Sequence, residues 1–104
     1  MEKKIMKMLK DMRIPENYSG FYYWLELIMY VYKNYKVENL SSIKMEELYE
    51  MLAEKHDTTT IPIRRNMRTC IVNCGTYINK YFNKSKITSK KFLILSVLKL
   101  KERN

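Results

Sequence analysis

Three arginines, Arg64, Arg65 and Arg68, stand close together at the start of a segment with helical periodicity. The planar guanidinium group can donate two parallel hydrogen bonds, either to O6 and N7 of guanine or to two oxygens of a phosphate. On a helix, residues at this spacing project from neighbouring positions on one side. We therefore take these arginines as candidates for reading DNA bases. A solvated basic helix face is the alternative interpretation.

The charge of the chain changes sign just before the arginines. Residues 1–57 hold nine Lys/Arg against ten Asp/Glu, a net charge of −1. Residues 58–104 hold eleven against one, a net charge of +10, and the whole chain carries +9. A strongly basic half favours a polyanionic partner, with nucleic acid ahead of an anionic membrane.

The elements that must position the arginines form a predicted helix-turn-helix at about residues 44–75. Its first helix is predicted over Lys44–His56. The small side chain of Ala53 allows close packing, and Asp57 tolerates the left-handed conformation that the corner needs. This arrangement is typical of proteins that place a second, recognition helix in the major groove.

The second helix of this unit is expected to begin after Thr59, whose hydroxyl would accept a hydrogen bond from the Ile61 amide. Pro62 then falls in the first turn, where its missing N–H costs little. The arginines lie outside the predicted buried stripe, which recurs at three- and four-residue steps: Ile63, Met67, Cys70, Ile71 and Cys74.

Other polar residues are candidates for contacting phosphates. Thr58, Thr59 and Thr60, with the nearby amides, can bind phosphate at a helix N-terminus; capping alone is an equal alternative. Lysines surround a predicted loop and the start of the last helix, and are expected to add salt-dependent affinity without sequence information. They are Lys80, Lys84, Lys86, Lys90 and Lys91. General solubility is the alternative role for these lysines.

The remaining periodicity predicts a single all-α domain, a compact bundle of about five to six helices over residues 1–104. Helices are expected at Lys3–Met12, at Phe21–Lys36 and at about Ser89–Lys101, where Thr88 is the predicted N-cap. Ser41-Ser42 is expected to cap the helix that begins near Lys44. The last helix is apolar on more than one side, so part of it is expected to meet the core and part another subunit.

Composition argues against several other classes of protein. One His and no glycine-rich phosphate loop give little support to an enzyme, so no catalytic residues are assigned. Cys70 and Cys74 are expected to be reduced core residues, and His56 alone cannot complete a zinc site, so no metal or cofactor is expected. The most apolar run, Phe21 to Val31, is too short to span a bilayer and contains Glu26. We expect a cytoplasmic protein that has no membrane partner.

Three segments in order along the chain carry a family resemblance. The first is Ile14-Pro15 with Gly20-Phe21-Tyr22-Tyr23, and the third is Thr88 with Phe92 and Lys99-Leu100. The second and most specific runs from Leu48-Tyr49 through Ala53-Glu54-Lys55 and Asp57-Thr58-Thr59 to Ile63-x-Arg65-x-x-Arg68. Together they resemble the C-terminal DNA-binding effector domain of stage-zero sporulation protein A, the sporulation response regulator.

The resemblance implies an all-helical domain of about six helices that binds promoter DNA. It implies base contacts by Arg65 and Arg68, a head-to-tail pair of copies on tandem sites, and contacts from the last helix. The family has serine, arginine and glutamate where this chain has Ile61, Pro62 and Arg64, so a different base preference is expected. The 75–86 segment is shorter and lacks the family's tryptophan. No receiver domain is recognised, so control by phosphorylation within this chain is not expected.

The sequence as a whole predicts a sequence-specific, DNA-binding transcription regulator. Arg65 and Arg68 would read bases, and Arg64 would read a base or clamp a phosphate. Double-stranded DNA is the expected partner, with homodimers on tandem sites and RNA polymerase as further candidates. The alternative is a protein-interaction module that sequesters a regulator or contacts RNA polymerase without binding DNA.

Overall fold

Helices form every regular element of residues 1–102, the part of the chain that the computed structural model describes. The all-α fold predicted from the periodicity is therefore confirmed. None of the described helices is both long enough and apolar enough to cross a bilayer. The elements are α1 (Glu2–Asp11), α2 (Ser19–Asn34), a 3₁₀ helix (Val37–Ser42), α3 (Met45–Lys55), α4 (Thr60–Asn73), α5 (Gly75–Phe82) and α6 (Ser89–Lys101).

Helix α2 is the central element of the core. Its apolar residues cover most of its circumference, which is typical of a helix surrounded by others. It packs against α1, α4 and α6 and also contacts α3. Its fully buried side chains include Phe21, Trp24, Leu27, Ile28 and Val31. The other helices are therefore arranged around α2, and α4 makes its most extensive contact with it.

Three helices end in the same way. Arg13, Asp57 and Asn83 follow α1, α3 and α5, and each has a positive φ between 52° and 64°. In each case the next amide donates to a carbonyl five residues earlier, as Thr58 N does to Ala53 O at 2.9 Å. This geometry satisfies carbonyls that the last helical turn leaves unpaired. The corner predicted at Asp57 is confirmed.

The segment before α3 differs from the prediction. Ser41 and Ser42 lie inside the 3₁₀ helix, and Lys44 occupies the N-cap of α3 without a side-chain hydrogen bond. Burial explains the difference. Leu40 and Ile43 are each only 2% exposed, and packing both against the core places the serines between them in a tight turn. The Ser42 hydroxyl then donates to the carbonyl of Asn39 at 2.8 Å. The expectation that these serines cap α3 was wrong.

The last helix has the bounds predicted from the sequence, and the Thr88 hydroxyl accepts from the Lys91 amide at 3.2 Å. Its apolar residues are buried or pack half-buried against the core, including Leu95 and Leu98. None of the exposed large apolar side chains lies on α6. The expected apolar face for another subunit is thus largely covered by this chain itself.

Candidate nucleic-acid interface

Helices α3 and α4 pack against each other across a four-residue turn, and together form the predicted helix-turn-helix. Ala53 is buried at the corner, where a larger side chain would separate the two helices. Asp57 takes the left-handed conformation that reverses the chain. Thr59, the last residue of the turn, is the N-cap of α4, and the helix begins at Thr60.

The inner face of α4 is the stripe predicted from its spacing. Ile63, Met67 and Cys70 are fully buried, and Ile71 and Cys74 are at most 8% exposed. Both cysteines are free, as expected for core residues. Burial raises the pKa of the Cys70 thiol to about 12, and burial likewise raises the pKa of Cys74. These thiols therefore remain protonated and serve packing.

Two residues of α2 fix the position of α4. The indole Nε1 of Trp24 donates to the carbonyl of Met67 at 2.9 Å in the buried core. Gly20 lies directly against the backbone of Asn66 and the sulfur of Cys70, leaving no room for a side chain. Because a backbone contact and a buried hydrogen bond both constrain it, α4 has one register relative to the bundle.

The outer face of α4 carries the arginines. Arg64, Arg65 and Arg68 are all exposed, and helical spacing places two exposed apolar residues, Ile61 and Val72, on the same side. We call these five residues the reading face. It lies opposite the buried stripe, so the side chains that anchor α4 are separate from those that are free to contact a partner.

The three arginines differ in their surroundings. The Arg64 guanidinium forms an ion pair with Glu46 Oε1 at 2.5 Å and lies 5.5 Å from the centre of the Tyr49 ring. Within residues 1–102, Arg65 and Arg68 form no ion pair with a carboxylate. Two guanidinium groups are thus free to bind an external acceptor, and the third is held by α3.

The threonines at the start of α4 only partly match the prediction. Thr58 and Thr59 are exposed and Thr60 is half-buried. The Thr59 hydroxyl makes no capping hydrogen bond, so the predicted bond from the Ile61 amide is wrong. An N-cap side chain accepts from the second or third helical amide, and Pro62 removes the third. The Thr59 hydroxyl and the first-turn amides of α4 thus stay available to a phosphate.

The start of α6 lies beside the helix-turn-helix. Burial has the largest effect on the Tyr49 hydroxyl and raises its pKa. The same hydroxyl interacts with Ser89, at the start of α6, and with the charges of Arg64 and Arg68, which oppose this rise. Lys90 and Lys91 follow Ser89 in the first turn of α6.

The other candidate lysines lie farther along the chain from that contact. Lys84 and Lys86 are exposed in the loop before α6. Lys80, which was expected beside a loop, lies in the last turn of α5. Residues Gly75–Phe82 form this helix, and Ile78 is its buried residue. No hydrogen bond or ion pair joins Lys80 to α4 in the described residues.

Sequence reasoning missed several residues of this surface. Glu46 and Tyr49 contact Arg64 from α3, and Ser89 of α6 interacts with Tyr49. Nothing local in the sequence indicates these contacts. Ile61 could have been found, because it precedes Arg65 by four residues and Arg68 by seven, the spacing of one helix face.

Comparison with known proteins supports the resemblance seen in the sequence. The chain matches the family described as sporulation initiation factor Spo0A C terminal over residues 5–93. The match covers α1 through the start of α6, and thus the whole helix-turn-helix. No curated protein sequence gives a significant match. The family is the DNA-binding effector domain of a sporulation regulator rather than an enzyme family. The chain therefore belongs to the Spo0A C-terminal family of DNA-binding domains.

Proposed function

We propose that this protein is a sequence-specific transcription regulator that inserts α4 into the major groove of duplex DNA. The observation that carries the proposal is a pair of exposed arginines, Arg65 and Arg68, on a helix whose inner face is packed into the core. Neither guanidinium group pairs with a carboxylate of residues 1–102. A rigidly held helix keeps its side chains in fixed positions, which base recognition requires.

Each residue of the interface has a distinct proposed role. Arg65 and Arg68 donate to guanine O6 and N7, which in general discriminates by about 1–3 kcal/mol per bidentate pair. Arg64 leaves Glu46 and either reads a base or clamps a phosphate. Thr58, Thr59 and Thr60 hold a phosphate at the start of α4. The lysines proposed to hold the DNA backbone are Lys80, Lys84, Lys86, Lys90 and Lys91.

The partners follow from the same proposal. Two copies would bind side by side on tandem sites, and contact with RNA polymerase would convert binding into a change in transcription. The protein would act in the cytoplasm. The alternative of a protein-interaction module that does not bind DNA was motivated by an apolar side of α6 and by the lack of a recognised receiver domain. Leu95 and Leu98 on that helix are half-buried, so no observation favours it.

The test begins with selection of bound sequences from a random duplex pool, followed by gel-shift titrations. We expect the wild-type protein to select a guanine-containing site. Arg65→Ala/Arg68→Ala should bind the selected duplex at least about 30-fold more weakly, from two lost base pairings of 1 kcal/mol or more each. Its binding to an unrelated duplex should fall much less.

A matched control removes the same charge elsewhere. Lys3→Ala/Lys4→Ala takes two cations from the exposed surface of α1, and should leave the preference for the selected duplex intact. The proposal is wrong if the arginine variant binds every duplex as tightly as the wild type does, or if the wild type selects no sequence.

A further inference from the structure

One exposed isoleucine shares the reading face with the arginines. Ile61 is 58% exposed, whereas every other isoleucine and leucine among residues 1–102 is buried or half-buried. A single exposed apolar residue needs no explanation by itself. The position of Ile61 matters: the 100° step of a helix places it, like Val72, between Arg65 and Arg68 around the axis of α4, and it precedes Arg65 by about one turn.

The packing of α4 does not depend on Ile61. Ile63 and Met67 on the opposite face are fully buried and hold the helix on the core. Ile61 also stands in the first turn, the part of a recognition helix that approaches base edges most closely in this class of protein. Its side chain is therefore free to contact whatever Arg65 and Arg68 contact.

The chemistry of the major groove limits what that contact can be. An isoleucine side chain can neither donate nor accept a hydrogen bond, so it cannot read the polar edge of a base. Among the four bases, thymine alone presents an apolar group in the major groove, the methyl on C5. Packing an aliphatic side chain against this methyl group removes apolar surface of both from water.

We infer that Ile61 selects thymine at one position of the binding site by packing against its 5-methyl group. The inference depends on the proposed function, because it requires α4 to lie in the major groove. Ile61 and Arg65 are about 6 Å apart along the helix, and successive bases on one strand are about 3.4 Å apart. The thymine therefore lies within about two base pairs of the guanine that Arg65 reads.

The experiment replaces the thymines of the selected duplex one at a time with deoxyuridine, which lacks only the 5-methyl group. At one thymine near the guanine, the wild type should bind the deoxyuridine duplex roughly fourfold more weakly, the change expected for one methyl contact. Ile61→Ser should bind the two duplexes equally, and Ile61→Ala, which keeps one methyl group, should respond less than the wild type. Circular dichroism checks that each variant is folded. Two variants are used so that the test can still be made if one of them does not fold.

Val72→Ser is the matched control, because Val72 is 64% exposed on the same face and lies about 16 Å from Ile61 along α4. It should keep the wild-type response to deoxyuridine. The inference is overturned if no deoxyuridine duplex weakens wild-type binding, or if the response persists in both Ile61 variants. In those cases the wild type still selects its site, so the proposed function stands. Failure to select any sequence defeats both.

Discussion

The indole nitrogen of Trp24 lies 2.9 Å from the backbone oxygen of Met67, to which it donates a buried hydrogen bond. The same ring meets the ring of Phe92 edge to face, with centroids 4.7 Å apart. One side chain of α2 thus joins the middle of α4 to α6. The orientation of the reading face relative to Lys90 and Lys91 depends on this connection.

Replacing Trp24 with phenylalanine should destabilise the fold. The substitution removes a buried donor and leaves a cavity, so we expect the free energy of unfolding to fall by about 2–3 kcal/mol. Urea unfolding followed by circular dichroism measures the change. Tyr22→Phe is the control, since Tyr22 is exposed on the same helix, and should change stability by less than about 0.5 kcal/mol. Equal effects of the two substitutions would contradict this account.

The two glycines of the chain should respond in opposite ways to alanine. At Gly20 a Cβ atom would lie 2.6 Å from Cys70 Sγ and closer still to the Asn66 carbonyl oxygen, which belongs to the backbone of α4. Gly20→Ala should therefore cost about 1–3 kcal/mol or more of stability.

At Gly75 a Cβ meets nothing within 4 Å, and φ is not positive. Gly75→Ala should stabilise the protein by about 0.4–1 kcal/mol. Thermal unfolding distinguishes the pair, and a stabilising Gly20→Ala would refute the close approach.

Removing the carboxylate of Glu46 should affect binding more than stability. Glu46 and Arg64 are both exposed, so the pair contributes little to folding, and Glu46→Gln should change the unfolding free energy by less than about 0.5 kcal/mol. Without the carboxylate, Arg64 loses its ion-pair partner, and the protein surface that would face the DNA phosphates carries one negative charge less. Affinity at low salt should rise about fivefold, equivalent to about 1 kcal/mol. Glu2→Gln on α1 controls for net charge. Weaker binding would instead mean that Glu46 holds Arg64 in its binding position.

The lysines at the start of α6 should contribute to affinity without contributing to sequence preference. Lys90→Gln/Lys91→Gln should weaken binding to every duplex and reduce the slope of log affinity against log salt by about 1.8, or 0.9 for each lost phosphate contact. Lys33→Gln/Lys36→Gln is the control. These exposed lysines lie in the last turn of α2 and just after it, away from Gly20 and Trp24, which contact α4. An unchanged slope for the α6 variant would exclude its lysines from the phosphate contacts.

Acid should weaken the attachment of the helix-turn-helix corner to α2. Glu26 binds Lys55 Nζ at 2.8 Å and His56 Nε2 at 2.9 Å, both at the end of α3. Burial opposes ionisation, but these hydrogen bonds and charges outweigh it, so the pKa of Glu26 is lowered from its ordinary value of 4.5. A lowered pKa gives stability that is present above pH 4.5 and is lost as the pH falls through the folded-state value.

The comparison of wild type with Glu26→Gln measures this contribution. The variant should be about 1 kcal/mol less stable at pH 7, and the difference should shrink as the pH falls below 4.5. Glu50→Gln, at an exposed position of α3, should show no such trend. A difference that stays constant from pH 7 to pH 3 would contradict the assignment.

Local sequence patterns predicted most of the fold because most helix ends here are determined locally. The bounds of α6, the corner at Asp57 and the buried stripe of α4 follow from caps, a left-handed residue and helical spacing. The 3₁₀ helix and α5 as a separate helix were missed. Both helices form where Leu40 and Ile78 are buried against other elements. Such short segments show no helical periodicity in the sequence, so this tertiary effect could not be predicted.

The candidate site was predictable to a smaller extent. The exposure of Arg64, Arg65 and Arg68 follows from their positions outside the stripe. The ion pair between Arg64 and Glu46 joins residues 18 apart on different helices, so only the packing of α3 on α4 reveals it. The reason for a glycine at position 20 is equally hidden, because it lies in the backbone of Asn66, 46 residues later.

The division of α4 into an anchored side and an open side has a consequence for how such proteins diversify. Substitutions at the exposed Ile61, Arg65 or Arg68 leave the core untouched, so under the proposed function base preference would change without loss of folding. The same division would let a library randomised at these exposed positions alone keep the fold while its members differ in what they bind.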